Sequence, residues 1–87
     1  MRYTVTWKES AADRLAEIWM SAQDRRAVTA AADRLDAALR FDPHLHGESR
    51  GDTMRLVIVP PLAVVYEVLD ADRLVEILAV RDTTEHS

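Results

Sequence analysis

The 87-residue sequence contains no cysteine, which excludes disulfides, cysteine-ligated zinc and thiol catalysis. Only two glycines and three prolines are present, with no low-complexity tract, so the composition does not favour disorder. The longest apolar run, Leu62–Tyr66, has five residues, whereas a membrane-spanning helix needs about 20. No apolar signal-peptide core follows the N-terminal Met-Arg. We therefore predict one cytoplasmic domain over residues 1–87, without membrane contact and with a flexible polar tail at 82–87.

Positive charge is also scarce. Lysine and arginine total 11 against 15 aspartates and glutamates, which gives a formal net charge of −4. Residues 1–43 contain seven basic and seven acidic side chains, whereas residues 44–87 contain four and eight. Proteins that bind nucleic acids usually have a basic surface that displaces counterions from phosphates. Contact with RNA or DNA would therefore require a local cluster of arginines.

The first half of the sequence has one strand pattern followed by two helix patterns. Arg2–Trp7 alternates polar with apolar residues, which is typical of a strand with one buried face. Apolar residues at helical spacing then predict an amphipathic helix with Ser10 as its N-cap. A second helix begins near Ser21 or Asp24 and ends before Pro43, because the residue preceding a proline avoids the helical conformation. The two helices should form a hairpin packed on a sheet.

The second half is predicted to be a loop followed by three strands. The loop is Asp42–Asp52, and the strands are Met54–Val59, Leu62–Leu69 and Arg73–Val80. The resulting order, β-α-α-β-β-β, predicts an α+β fold in which a small, mostly antiparallel four-stranded sheet packs against the N-terminal helical hairpin. The strands contain more apolar side chains than so small a domain covers, so we expect an exposed apolar groove on the sheet.

Three arginines in the second half are candidate phosphate ligands. Arg55 stands among apolar strand residues, and Arg81 ends the last strand, where it would point into the same groove. Arg50, in the loop, would reach that groove as well. Each has a structural alternative: Arg55 pairs with a carboxylate at the sheet edge, and Arg81 is a solvated strand end. For Arg50 the alternative is an ion pair with Glu48. His86 has a ring pKa, ordinarily about 6.5, that suits proton transfer, although residues so near a terminus are normally disordered.

Other conspicuous side chains favour structural interpretations. His44 and His46 have the spacing of two metal ligands on one strand face, but no third ligand is evident. We predict no metal and no cofactor. Tyr66, in an apolar strand, is expected to be a core residue with one hydrogen bond. Trp7 and Trp19 are expected to be core anchors that join the first strand to the first helix.

Several segments, taken in order, carry a resemblance to a known superfamily. They are Tyr3–Trp7 with the helix after it, Leu39–Pro43, Gly47–Arg50, Met54–Leu56, Pro61–Val68 and Val75–Arg81. Together they resemble the RelE/ParE superfamily of type II toxin–antitoxin toxins, which includes plasmid stabilisation proteins. The resemblance implies the fold predicted above and a sheet groove that binds an extended antitoxin. It also implies one of two targets, mRNA on the ribosome, cleaved without a metal ion, or DNA gyrase.

The ribonuclease pattern of that superfamily is only partly present. On this pattern Arg55 and Arg81 would hold the phosphate, and His86 or Arg50 would donate the proton. The sequence departs from this pattern because Arg55 is the only basic residue of its strand. In addition, Ala63 occupies a position at which members of the superfamily often have an arginine. No tyrosine follows the last strand.

These observations lead to one functional prediction and two alternatives. The chain is predicted to be the growth-inhibiting toxin of a type II system, neutralised by a cognate antitoxin bound along the sheet groove. The alternatives are a metal-independent, ribosome-dependent mRNA endoribonuclease of the RelE type and a catalytically degenerate antitoxin-binding module. A homodimer or a toxin–antitoxin hetero-oligomer would equally cover the apolar surface.

Overall fold

The computed structural model describes residues 2–51 and 53–84, which form two helices and a five-stranded sheet. The elements are β1 (Thr4–Trp7), α1 (Glu9–Ser21), α2 (Arg25–Phe41), β2 (Glu48–Ser49), β3 (Met54–Val59), β4 (Leu62–Leu69) and β5 (Leu74–Asp82), with a 3₁₀ turn at Asp70–Asp72. The predicted α+β class and helical hairpin are confirmed. The sheet has five strands rather than four, because the loop contributes β2. This two-residue strand contains no β-forming residue that the sequence pattern could detect.

The two helices begin differently. Asp24 is the N-cap of α2, and its carboxylate accepts a hydrogen bond from the backbone N–H of Ala27 at 3.1 Å. The prediction of Ser10 as N-cap of α1 is wrong, since that helix begins two residues earlier, at Glu9, and its N-cap is Lys8, which makes no side-chain capping bond. The N–H of Lys8 donates to the carbonyl of Ile77 in β5 at 2.9 Å. This backbone hydrogen bond attaches the residue before α1 to the sheet.

The strand order in the sheet is β1-β5-β4-β3-β2. β1 runs parallel to β5 and the other neighbouring strands are antiparallel, which confirms a mostly antiparallel sheet. Residues of β4, at the centre, alternate between buried and half-buried. The buried set, Leu62, Val64, Tyr66 and Val68, belongs to the same core as the helices. We call this side of the sheet the helix face and the opposite side the open face.

The hydrophobic core lies between the helical hairpin and the helix face. Its helical members are Ala11, Ile18, Val28, Ala31, Leu35 and Leu39, and β5 adds Val75, Ile77 and Val80. Trp7 packs against this core as predicted. The prediction for Trp19 is wrong, because its side chain is 39% exposed on the outer side of α1.

Two boundary details complete the fold. Arg73 adopts a left-handed conformation with φ of 51°, so the last strand begins one residue later than predicted. β5 continues through Asp82, which the sequence had assigned to the tail. Within the described residues, no helix is long and apolar enough to cross a membrane.

Candidate functional site

Arg55, the first candidate phosphate ligand, points to the helix face. In the β3–β4 register it is directly opposite Tyr66, and directly opposite residues share a face. Its Nε donates to the carbonyl oxygen of His46 at 2.9 Å and its Nη2 to that of Gly47 at 3.0 Å. The half-buried guanidinium is therefore used to hold the connecting loop, which we define as residues 42–51 between α2 and β3.

Tyr66 also binds the connecting loop, from the core side. Its side chain is completely buried, which confirms the prediction of a core residue. Its hydroxyl lies 2.7 Å from the carbonyl oxygens of both Pro43 and His46, and its single proton is donated to one of them at a time. Burial raises the pKa of Tyr66 above its ordinary value, so the phenol stays a neutral donor.

A second, exposed contact fixes the start of the connecting loop. Nε2 of His44 lies 2.8 Å from Oδ1 of Asp70, and the hydroxyl of Tyr3 donates to the same oxygen at 2.7 Å. The hydrogen bond from Tyr3, followed by that from His44, lowers the pKa of the Asp70 carboxyl. The carboxylate in turn raises the pKa of Tyr3. His44 thus joins the loop to the turn before β5.

Arg81 lies on the opposite side of the sheet from Arg55. It is paired with Ala63 in the β4–β5 register and is exposed on the open face. The two arginines therefore do not converge on one groove. Arg50 forms an ion pair with Glu48, with 3.3 Å between Nη2 and Oε2, as its structural alternative predicted. His86 lies outside the described residues.

The open face is largely apolar and has little positive charge. Its central side chains, taken from the register of β3, β4 and β5, are Met54, Leu56, Ile58, Ala63, Val65, Glu67, Leu69, Leu74, Glu76, Ala79 and Arg81. In these three strands one guanidinium is outnumbered by two carboxylates. Thr53 donates to the Glu67 carboxylate at 2.8 Å. Ile58 is 57% exposed, so this face is available to a partner.

A groove of about 440 Å³ runs between the two helices on the outer side of the hairpin. Its lining is Ala12, Leu15, Ala16, Trp19, Met20, Val28, Thr29, Ala32 and Asp33. The indole Nε1 of Trp19 donates to the Thr29 hydroxyl at 3.2 Å, and the Arg25 guanidinium stacks 4.6 Å above the indole ring. Val28 is buried at the bottom of the groove, whereas Ala12, Ala16, Trp19 and Met20 are exposed. An apolar groove of this kind suits the apolar side of an amphipathic helix.

Sequence reasoning missed this groove and the fastening of the loop. The helical spacing of Ala12 and Ala16 gave a signal for the groove, because alanines on an exposed helix face permit close approach. Gly47 gave a signal for the loop, since it has φ of +70° and a Cβ there would collide with the carbonyl oxygen of Leu56.

Comparison with known proteins agrees with the fold described above. Residues 5–86 match the family described as the ParE toxin of the type II toxin–antitoxin system, parDE. The match spans nearly the whole chain, and the chain belongs to this family. The predicted toxin function and RelE/ParE membership are thereby confirmed. No curated protein gives a significant match to the sequence.

Solved structures share the fold at low sequence identity. The chain resembles the RelBE2 toxin–antitoxin complex of Mycobacterium tuberculosis with a TM-score of 0.76 and 18% identity, over 98% of this chain and 95% of that one. For a free mutant RelE toxin of Escherichia coli the TM-score is 0.74 at 16% identity, covering 97% and 86%. For the ParDE system of Pseudomonas aeruginosa it is 0.70 at 14% identity, covering 93% and 96%.

Proposed function

We propose that this toxin arrests growth by binding a protein target, DNA gyrase, rather than by cleaving mRNA. One observation carries the proposal. The central strands of the open face carry a single guanidinium, that of Arg81, together with the carboxylates of Glu67 and Glu76. Such a surface suits a protein partner with apolar and mixed-charge groups better than it suits an RNA backbone.

Metal-independent RNA cleavage needs groups that this surface does not bring together. The transition state requires positive charge at the phosphate and a group that transfers a proton to the leaving oxygen. Arg55 is turned to the helix face and is bonded to loop carbonyls. Arg50 is engaged with Glu48. On the open face of β3, β4 and β5, Arg81 remains the one cation available for a phosphate, and this supports the gyrase target.

We further propose that a cognate antitoxin neutralises the toxin by laying a helix in the groove between α1 and α2. Related solved structures are complexes of toxins with antitoxins, including those of Mycobacterium tuberculosis and Pyrococcus horikoshii. The groove is lined by apolar side chains of both helices, among them Leu15, Trp19 and Val28. This geometry fits an amphipathic helix with apolar anchors on one side. The open face remains a second apolar surface for the rest of the antitoxin.

The target is tested by induced expression in a bacterial host, with transcript 5′-end mapping and plasmid supercoiling followed in parallel. Purified chain is also added to DNA gyrase in a supercoiling assay. The expected result is arrest with altered supercoiling in cells, inhibition of purified gyrase, and no codon-positioned cuts in mRNA. Arrest accompanied by such cuts, abolished in Arg81→Ala, would establish the ribonuclease instead. Folded protein that causes no arrest would leave the antitoxin-binding module as the function.

A further inference from the structure

The charges of the open face lie symmetrically about Val65, at the centre of β4. Arg81 of β5 is opposite Ala63, which is two residues before Val65. Glu76 of β5 is opposite Glu67, which is two residues after Val65. One guanidinium therefore lies at one end of this face and two carboxylates lie at the other, at about equal distances from the centre.

The two carboxylates face each other without a compensating charge. Like charges directly opposite in a sheet destabilise it, because such side chains lie close together. Glu67 accepts a hydrogen bond from the uncharged Thr53, and neither it nor Glu76 forms an ion pair in the described part of the chain. Arg81 is exposed and also has no ion pair among the described residues. All three charges are therefore available to a molecule that covers this face.

The apolar side chains between these charges are also uncovered. Leu56, Val65 and Leu69 are half-buried, but they belong neither to the core nor to the residues that pack against it. Met54 and Ile58, near the two ends of β3, are 36% and 57% exposed. An apolar centre with charged groups around it is typical of a contact between proteins.

We propose that the open face is the contact surface of a homodimer, in which two copies pack face to face about a two-fold axis that crosses the strands at Val65. The rotation places one end of each strand over the other end of the same strand in the second copy. Arg81 then faces Glu76 of the second copy, and the same ion pair forms twice. Ile58 faces Met54 in the same way. Sheets that pack face to face keep their strands within about 30° of each other, which this axis allows.

Charge complementarity favours a second copy over other occupants of the face. An acidic segment would leave the two carboxylates unpaired, and a basic segment would leave Arg81 unpaired. A second copy about this axis presents the reversed order of charges, so it pairs with both ends at once. The dimer does not depend on which target the toxin has, but it covers the surface on which the proposed contact with gyrase rests.

The size of the face predicts a weak dimer. Strands lie about 4.8 Å apart and rise about 3.3 Å per residue, so β3, β4 and β5 present roughly 15 by 20 Å. Stable interfaces bury about 800 Å² on each partner, which is more than this area supplies even with the relief of its side chains. We therefore expect a dissociation constant of about 1–100 μM. Dilute protein is then monomeric, with its open face accessible.

Sedimentation equilibrium of the purified chain, from about 1 to 500 μM, measures this association. Arg81→Glu and Glu76→Arg each place like charges opposite one another across the contact, so each should weaken association about tenfold or more. The double variant Arg81→Glu/Glu76→Arg again places opposite charges together about the axis, and its association should return toward the wild-type value. Arg34→Glu is the control, because it makes the same reversal at an exposed position of α2, on the other side of the sheet. It should associate normally.

The absence of cysteine allows a second readout that leaves the charges of the face unchanged. Ala79 is exposed and is opposite Val65, so it lies on the proposed axis and faces the same residue of the second copy. Ala79→Cys should therefore be linked into dimers by a bis-maleimide with a short spacer. Ala37→Cys, at an exposed position of α2, is the matched control and should remain unlinked.

Several results would overturn the proposal. A wild-type chain that stays monomeric at about 500 μM would leave the open face to another protein. A dimer that is unchanged in both single reversals, or equal linking of Ala37→Cys and Ala79→Cys, would place the contact on another surface. A double variant that associates as weakly as the single variants would refute the two-fold arrangement. Gyrase inhibition by dilute chain is measured separately, so a failure of the proposed target and a failure of the dimer are distinguishable.

Discussion

The Arg55 guanidinium and the Tyr66 hydroxyl bind the same carbonyl oxygen, that of His46, at 2.9 and 2.7 Å. Their directly opposite positions in β3 and β4 place both side chains under the connecting loop. The loop carbonyls have no neighbouring strand to pair with at these positions, so side chains satisfy them. An arginine that stands out in the sequence as a phosphate ligand thus has a structural partner within its own chain.

The first prediction concerns Arg55. Replacing it with alanine removes two charge-assisted hydrogen bonds to loop carbonyls, and we expect a loss of about 1–2 kcal/mol in the free energy of unfolding. Arg81→Ala, the same replacement on an exposed strand position, should change stability by less than about 0.5 kcal/mol. Urea denaturation of both variants measures the difference. Equal stabilities would mean that the guanidinium does not fasten the loop.

The second prediction concerns the buried hydroxyl. Tyr66→Phe leaves the carbonyl oxygens of Pro43 and His46 without this donor while keeping the ring in the core. We expect a destabilisation of about 1–2 kcal/mol, because a buried acceptor loses its hydrogen bond. Tyr3→Phe, which removes an exposed hydrogen bond to Asp70, should cost less. Thermal unfolding of the two variants tests this order, and the reverse order would contradict it.

Much of the fold could be predicted from the sequence because its signals are local. Alternation in Arg2–Trp7 and helical spacing in the next segments depend on burying one side of each element. β2 could not be predicted in this way. Glu48 and Ser49 are extended because they pair with Leu56 and Arg55, a contact that only the assembled sheet provides.

The candidate site was less predictable because it depends on register. A one-residue shift reverses the face of every side chain in a strand, so composition could not tell whether Arg55 and Arg81 converge. The register resolves this by pairing Arg55 with Tyr66 and Arg81 with Ala63. Trp19 was misassigned for a related reason. Its spacing fits the buried stripe of α1, but the packing of α2 against that helix leaves the indole in the outer groove.

The third prediction concerns Gly47, whose φ of +70° and closeness to the Leu56 carbonyl leave no room for a side chain. Gly47→Ala introduces both a strained conformation and a collision with backbone, so it should destabilise the protein by about 1–3 kcal/mol. Gly51→Ala is the control, because a Cβ at that glycine meets open space, although its φ of +152° also favours glycine. Denaturation curves should give Gly47→Ala a clearly lower free energy of unfolding than Gly51→Ala. Coincident curves would refute the close contact between Gly47 and the Leu56 carbonyl.

The fourth prediction is a pH dependence that arises at Asp70. Its pKa is lowered in the folded protein by hydrogen bonds from Tyr3 and His44. The stabilisation that these hydrogen bonds give the folded protein is therefore complete above the pKa of an unfolded aspartate, about 3.9. It is lost as the pH falls through the lower pKa that Asp70 has in the folded protein. Asp70→Asn should flatten the fall in stability below about pH 4. Asp72→Asn, in the same turn, is the control. If both variants flatten the pH dependence of stability equally, Asp70 is not its cause.

The last prediction separates neutralisation from toxicity. Ala16 is exposed on α1 and lines the groove between the helices, whereas Ala37 is exposed on α2 away from it. Ala16→Glu places a charge in this apolar groove, so the affinity for the antitoxin should fall at least about tenfold while growth arrest persists. Ala37→Glu makes the same change outside the groove and should bind antitoxin normally. Co-expression with the antitoxin should then rescue cells that carry Ala37→Glu but not those that carry Ala16→Glu. Rescue of both would place the antitoxin on another surface, and loss of arrest in Ala16→Glu would place the groove in the toxic interaction itself.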